Sequence, residues 1–417
     1  MGVWHSNNGK GRRVLIMVEN LPSPFDRRVW QEATTLQGAG YEVSIICPTG
    51  KGFETKYEVV EGIHIYRYRL PLEASGAKGY LVEYAAAMFW TFVLSVKVLV
   101  TRGFDVIHAC NPPDLLFLIG GFYKVFLRKR FLFDHHDINP ELYEAKFGRR
   151  DFFYRLLRVF EYLSFKTADI SIATNESYKR IAIERGDMDE RKIYVVRSGP
   201  NLAKWRVMPP KPEHRHGRKF LVGYVGVMGG QEGIDYLLHA ARFIIKDMRR
   251  DDVHFTLVGG GPMLDDMMKL ARELGIAVHV TFTGRIPDEE LLEILNTADV
   301  CVNPDTANEM NDKSTMNKIM EYMALGKPIV QFDLREGRFS AREASLYTRK
   351  NDPIGLARGI LTLLADPAMR ERMGSYGRRR VENELEWRYE APKLLAAYEA
   401  VFAPRAQRQG RSAKTNS

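Results

Sequence analysis

The stretch NDKSTMNKIMEYMALGKPIV, residues 311–330, gathers side chains that could hold a polar ligand. On a helical wheel at about 100° per residue, Asn317, Lys318 and Glu321 fall within about 60° of Ser314. Met316, Ile319, Met320 and Met323 gather on the other side. One face packs; the other carries a hydroxyl, an amide, an ammonium and a carboxylate. A helix starting near Ser314 or Thr315 would turn its first amides toward an anion. Glu321, two turns deeper, would accept both hydroxyls of a ribose. Lys318 would either neutralise a phosphate or pair with Glu321 three residues on. Geometry alone fits a solvated face equally well. The polar turn Asn311-Asp312 before the helix and the Gly326-Lys327-Pro328 stop after it favour ligand contacts.

Two glycine-rich stretches could do matching chemistry. YVGVMGGQEGIDYLLHA (224–240) sets Gly226, Gly229, Gly230 and Gly233 between an apolar run and a helix pattern, and VGGGPMLDDM (258–267) repeats this with Gly259, Gly260 and Gly261. Glycine lets backbone amides approach an anion closely, and a helix start supplies unpaired amides. Either stretch alone reads as a tight turn; neither is GxGxxG, and no GK[ST] follows. Together with the polar helix they point to a phosphate site. FDHHD (133–137) is the densest titratable cluster. A strand puts neighbours on opposite faces, so His135 and His136 should not share an ion. No required metal or other cofactor is expected, and His135 reads as structural.

These residues need elements to position them. Apolar runs at 12–18, 41–48, 62–70, 104–110, 130–136, 169–174 and 193–199 alternate with helix patterns, which predicts a parallel sheet covered on both faces. Residues 201–219, with three prolines and clustered charge, read as a break between domains. The alternation restarts with runs at 220–226, 253–259, 278–284, 299–304 and 328–333. The fold class is therefore α/β with two Rossmann-like parallel-sheet domains. The expected boundaries are 1–205 for the first domain, 206–219 for the linker and 220–385 for the second domain. A final helix follows at 386–403, then a disordered basic tail at 404–417. YLVEYAAAMFWTFVLSVKVLV (80–100) is strongly apolar, but Glu83 and Lys97 interrupt it, so it is too short to span a bilayer; a buried crossover helix is the simplest reading, and a helix with one face touching membrane is the alternative.

The chain's 417 residues carry a formal net charge of +9, and 45% of them are hydrophobic and 27% charged, which suits a soluble globular protein. Three scattered cysteines suggest a reducing compartment. Residues 1–13 hold no signal-peptide core, so a cytoplasmic location is expected; Gly2 fits a myristoylation pattern only loosely. The positive balance suits anionic membranes or sugar nucleotides. No nucleic-acid module is visible, and no nucleic-acid partner is expected.

With these stretches in hand, the chain resembles a GT-B glycosyltransferase of the large retaining family 4 (group 1), and within it enzymes of bacterial surface-polysaccharide (exopolysaccharide) biosynthesis. The resemblance covers about residues 12–400. It rests on NLPSPFDRRVWQEATTLQGAGYEVSIICP, FDVIHACNPPD, FDHHDINPELY, VVRSGPN, YVGVMGGQEGIDYLLHAAR, LVGGGPM, FTGRIPDEELLEILNTADV and KIMEYMALGKPIV. It implies two domains facing across a cleft and a nucleoside-diphosphate sugar held by the second. Glu321 would bind the ribose, with Gly226, Gly229 and Gly259–Gly261 against the nucleotide and Ser314 and Asn317 beside it. It implies His136 near the reacting sugar as the catalytic residue, Asn111 and Asp137 on the acceptor side, and a final helix returning to the first domain. Three positions depart from the family pattern. Lys313 stands where a glutamate usually faces the sugar, and Val227 and Glu232 stand where an arginine and a lysine usually balance the diphosphate. Lys318, Lys313 and Arg285 are the nearby replacements. The implied reaction transfers a hexose or N-acetylhexosamine, with retention, to a lipid-linked saccharide. The implied partners are that acceptor, the anionic inner leaflet of the cell membrane, to which the protein associates peripherally, and a polysaccharide assembly complex. Two other readings share the scaffold: a sugar-nucleotide epimerase and an inactive sugar-nucleotide-binding protein.

Overall fold

The computed structural model describes residues 9–70 and 76–403, with side chains at all of these except 76–82. The expected basic tail and the Gly2 pattern lie outside the described residues. The chain divides into two compact units. One gathers the described residues up to Glu144, then Gly148–Arg197 and those from Glu390 onward; the other comprises Ala145–Phe147 and Ser198–Tyr389. The main break between the units therefore follows Arg197 rather than residue 205. The expected linker is also no free tether. Trp205 is buried in the second unit's core, and the backbone amides of Met208 and Lys211 bond to Asn296 Oδ1 and Thr297 Oγ1.

The first unit runs β1 (Arg13–Met17), α1 (Arg27–Gly38), β2 (Glu42–Pro48), β3 (Tyr57–Val60), β4 (Ile63–Tyr68), α2 (Gly76–Thr101), β5 (Val106–Cys110) and α3 (Phe117–Phe126). It continues with β6 (Arg130–His135), α4 (Asn139–Phe147), α5 (Phe152–Thr167), β7 (Ile170–Ala173), α6 (Glu176–Glu184) and β8 (Ile193–Val195). The eight strands are ordered β3-β4-β2-β1-β5-β6-β7-β8, and all pairs are parallel except β3 with β4. β3 escaped the sequence reading because its four residues, exposed or half-buried, present no apolar run. Strands β1, β5 and β7 are buried on both faces, as parallel strands covered by helices must be.

The second unit runs β9 (Phe220–Val225), α7 (Ile234–Arg242), β10 (Val253–Val258), α8 (Leu264–Glu273), β11 (Val280–Gly284), α9 (Asp288–Thr297) and β12 (Val300–Asn303). Then come α10 (Glu309–Lys313), α11 (Asn317–Ala324), β13 (Ile329–Phe332), α12 (Arg335–Ala341), β14 (Ser345–Thr348), α13 (Pro353–Ala365) and α14 (Pro367–Arg380). Its six strands are all parallel, in the order β11-β10-β9-β12-β13-β14. Alternation along β9 sends Val222 and Tyr224 into one core cluster and Leu221 into another on the opposite face.

The last helix, α15 (Trp387–Phe402), begins in the second unit and from Glu390 belongs to the first. There Leu394, Ala397, Tyr398 and Val401 are fully buried. The buried crossover expected at 80–100 is only half correct. On α2, Ala87, Thr91, Ser95 and Val98 form the buried stripe, while Phe89, Val93, Val96 and Val100 point to solvent. On α5, Leu156, Leu157, Phe160 and Leu163 are half-buried and Phe152 and Phe153 exposed.

Candidate functional site

In open parallel sheets, ligands gather at the carboxyl ends of strands where the strand order reverses. In the second unit that point lies between β9 and β12, since the chain from β9 builds first toward β10 and later toward β12. The loops leaving these two strands carry most of the expected donor residues.

The glycine loops after β9 and β10 are bonded to each other. Gly226 N donates to Val258 O, Met228 N to Gly260 O and Met263 N to Met228 O, at 2.9–3.0 Å. Gly259 has φ +136°, and a Cβ there would sit 1.8 Å from Gly226 O; one at Gly261 would meet Met228 N at 2.6 Å. These glycines are thus required by loop-to-loop contact. Gly260 has nothing within 4 Å of a Cβ position, and at Gly229 a Cβ would meet only the Gln231 side chain.

The helix expected to start near Ser314 or Thr315 starts at Asn317, and a separate short helix, α10, stands where a polar turn was expected. α10 is capped by Asn308, whose Oδ1 accepts from Asn311 N, and it ends at Lys313. Ser314–Met316 are not helical, and α11 starts at Asn317 with no side-chain cap. Ser314 is therefore off the wheel assumed for it, and its hydroxyl donates to Met310 O at 2.7 Å. Asn317 is exposed in the first turn of α11, and Glu321 lies one turn deeper, half-buried. Lys313 pairs with Glu309 at 2.6 Å, and Arg285 is exposed just past β11.

Lys318 is the largest correction. It was expected to neutralise a phosphate or to pair with Glu321. Instead it is buried, 2.6 Å from Glu232 Oε2, 2.8 Å from Asp305 Oδ1 and over the Tyr224 ring. Burial pushes the Asp305 carboxyl up to about 7 against the pull of Lys318. Glu232 goes the other way: Lys318 holds it below the usual range despite burial. The ammonium is already matched by two acids, so it is not a spare diphosphate cation. Tyr322, which sequence reasoning missed, anchors α11 at the switch point. Its hydroxyl accepts from Val225 N at 2.9 Å and donates to Val302 O at 3.2 Å, tying the helix to both strands.

In the first unit the strand order reverses between β1 and β5. Asn111, just past β5, is buried. Its Nδ2 donates to Asp114 Oδ1 and Asp137 O, and its Oδ1 accepts from His136 N and Asp137 N. Both donor and both acceptor positions are used, so Asn111 positions the 136–137 turn rather than touching an acceptor. Burial, with the charge of Glu161, pushes Asp114 up to about 6. His136 is mostly buried; its Nε2 lies 2.6 Å from Asp134 Oδ2 and 3.0 Å from Arg28 Nε. His135 is buried among Phe133, Phe165 and Tyr178, as a structural residue. Past β1, Glu19 is buried, and its carboxyl is pushed up to about 7 by that burial and by Glu83. It stands in an apolar stretch with no partner of recognisable spacing, so the sequence carried no signal for it.

Behind His136 lies a buried network. Tyr398 Oη of α15 is 2.8 Å from His108 Nδ1, and His108 Nε2 is 3.3 Å from Asp134 Oδ2. Arg28 donates to Asp134 and to Val196 O, and its guanidinium is 3.0 Å from Glu32. Burial raises Glu32 well above the carboxylate range; Asp134 resists the same burial because Arg28 and His136 hold it well below. Potential ligand atoms of Glu32, His108, Cys110 and Asp134 lie within 4.8 Å of one another. The Arg28 guanidinium already supplies the positive charge those carboxylates need.

Comparison with known proteins agrees with this arrangement. Residues 26–204 match the family model described as Glycosyltransferase Family 4, and residues 219–366 the one described as Glycosyl transferases group 1. An uncharacterized glycosyltransferase of Methanocaldococcus jannaschii is 22% identical over 378 residues, 87% of this chain and 90% of that one. A GDP-mannose-dependent alpha-(1-6)-phosphatidylinositol monomannoside mannosyltransferase of Mycolicibacterium smegmatis is 30% identical over 175 residues, 39% of this chain and 44% of that one. Among solved structures, sucrose-phosphate synthase from Thermosynechococcus elongatus superposes with a TM-score of 0.78 at 20% identity, covering 94% of this chain and 99% of that one. Anabaena HepE in complex with UDP-glucose gives 0.72 at 17%, covering 93% and 99%. Two parallel-sheet units, each with its loops gathered at a switch point, and a glycosyltransferase model matched on each half lead to one conclusion: the chain is a glycosyltransferase of the GT-B type.

Proposed function

We propose that this protein transfers a hexose or N-acetylhexosamine from a nucleoside-diphosphate sugar, with retention, to a hydroxyl of a lipid-linked saccharide during polysaccharide biosynthesis. The reading is carried by one observation: Glu321, Asn317 and the open Gly229 and Gly260 backbone all belong to loops and a helix at the β9/β12 switch point and its neighbour β10. Amides and cations aimed at the departing diphosphate are the main catalytic device such a site offers. Two relatives lend support: HepE binds UDP-glucose, and the mannosyltransferase acts on a phosphatidylinositol monomannoside. His136 acts at the reacting centre, and Asp137 lies on the acceptor side. The protein works at the cytoplasmic face of the cell membrane, associated peripherally with its anionic inner leaflet, and no metal is required.

Glu321→Ala should weaken nucleotide binding about tenfold to a hundredfold, the value of one or two hydrogen bonds to a charged group, measured by calorimetry with UDP, GDP and ADP. Unchanged binding of whichever nucleotide binds wild type would remove Glu321 from the site. Labelled sugar nucleotides incubated with a bacterial lipid extract test the reaction. Label in the lipid, with the donor's anomeric configuration, is the expected product. A new free sugar nucleotide would instead mean an epimerase, and tight binding without turnover a sensor.

A further inference from the structure

The first unit exposes an apolar surface that the donor and acceptor residues do not use. Residues Glu83–Thr101 of α2 are long and apolar enough to cross a membrane, yet 22% of them are buried. Their exposed apolar side chains are ordered. Phe89, Val93, Val96 and Val100 recur at spacings of 4, 3 and 4 residues and share one helix face, Val100 being 79% exposed. The opposite stripe of Ala87, Thr91, Ser95 and Val98 is buried, so α2 cannot span a bilayer without leaving its sheet. α3 repeats the pattern with Leu118, Phe122 and Val125 exposed and Ile119 and Tyr123 buried. The two helices are neighbours: the rings of Phe92 and Phe122 meet at 5.5 Å, and Ser95 Oγ bonds Tyr123 Oη at 2.8 Å.

Charge accompanies this surface. Residues 84–104 and 115–133 contain Lys97, Arg102, Lys124 and Arg128–Arg130, and no aspartate or glutamate. Three of the six, Arg128–Arg130, follow the C-terminal end of α3 directly. An open groove of about 930 Å³ runs along α3 to the end of α5, with Phe122 and Val125 as apolar wall and Arg128 and Lys166 among its basic lining. Lys124 and Lys166 are tied to Asp169 and Asp187. Arg102 and Arg128 are exposed. A protein partner would require apolar and acidic matching that nothing here specifies. An anionic bilayer supplies both a hydrocarbon for the stripe and phosphates for the rim.

We infer that the exposed face of α2 and α3, with Arg102 and Arg128 at its edge, lies in the interface of an anionic phospholipid bilayer. The inference rests on the membrane association proposed above and assigns its main contact to α2 and α3 rather than to the basic stretch at α5, where Arg149 and Arg150 just before the helix and Lys166 near its end are paired with Asp151, Glu144 and Asp187.

The test is co-sedimentation of the full chain with vesicles of phosphatidylglycerol and phosphatidylethanolamine in equal parts, against phosphatidylcholine alone. Two α2/α3 variants are compared with one on α5. Phe89→Ser/Val100→Ser/Phe126→Ser removes apolar contact, and Arg102→Glu/Arg128→Glu reverses the rim. Arg155→Glu/Arg158→Glu alters α5. All substituted side chains are exposed, and unchanged thermal melting confirms the fold. Wild type should bind the anionic vesicles and release at high salt, and each α2/α3 variant should bind about tenfold less tightly or worse. Loss in the α5 variant alone would overturn this assignment and keep membrane association. No binding by wild type would overturn both. A wild-type dimer that the apolar variant converts to monomer, with vesicle binding intact, would make the face an interface between copies and overturn the inference.

Discussion

At the residue scale, Lys318 accounts for one departure from the family pattern. Glu232 stands where a lysine was expected, and Lys318, reaching it from the other side of the switch point, matches its charge at 2.6 Å. Removing one member of such a buried pair leaves an uncompensated charge, so Glu232 and Lys318 belong together. The third member is measurable by pH. An unfolded aspartate titrates at about 3.9, whereas Asp305 is pushed up to about 7 by burial. Between those values the native state keeps a proton that the unfolded chain has lost, so this group's contribution to stability falls as pH rises from about 4 to 7 and is flat above. Asp305→Asn has no such proton. Its melting temperature relative to wild type should therefore climb across that window and level off above it. A difference independent of pH would show that Asp305 is ionised throughout. None of this was legible in the sequence, because Glu232, Asp305 and Lys318 come from three segments that only the β9–β12 pairing brings together.

At the element scale, most strands and helices were legible because glycine and apolar runs punctuate them. Where the reading failed, local cues were outweighed. Asn311-Asp312 reads as a polar turn before a helix starting near Ser314; yet Asn308 caps a short α10 across that turn, the Ser314 hydroxyl returns to Met310 O, and α11 starts only at Asn317. The glycine loops were correctly picked out, but the purpose of each glycine was not. Their φ angles and neighbours now separate them into a testable pair. Gly259→Ala forces a Cβ against the Gly226 carbonyl at a φ that L-residues rarely adopt, and should cost about 2–3 kcal/mol of stability together with nucleotide affinity. Gly260→Ala meets nothing within 4 Å and should melt like wild type. Equal melting temperatures for the two variants would show that the loops are not held against each other as described.

At the scale of the whole molecule, the two units differ in how they use the chain. The second is nearly continuous in sequence, and its two described core clusters lie entirely within residues 205–385. The first is completed by α15, whose Leu394, Tyr398 and Val401 are buried in it. At about 2 kcal/mol for each large apolar side chain, their loss is on the order of 6 kcal/mol, comparable with the whole stability of a typical domain. A chain ending at Tyr389 should therefore lose cooperative melting of the first unit, while residues 198–389 expressed alone should keep a sharp transition. Retention of both transitions in the truncated chain would mean that α15 is dispensable. The return of α15 also sets an order of events on the ribosome. The first unit is begun about 180 residues before the second is reached, yet its core stays open until residues 390–402 have emerged. The second unit by then is fully synthesised and free to fold. The first must wait through that interval with its parallel strands made and one wall of its core missing, including the Tyr398 hydroxyl that closes the network behind His136.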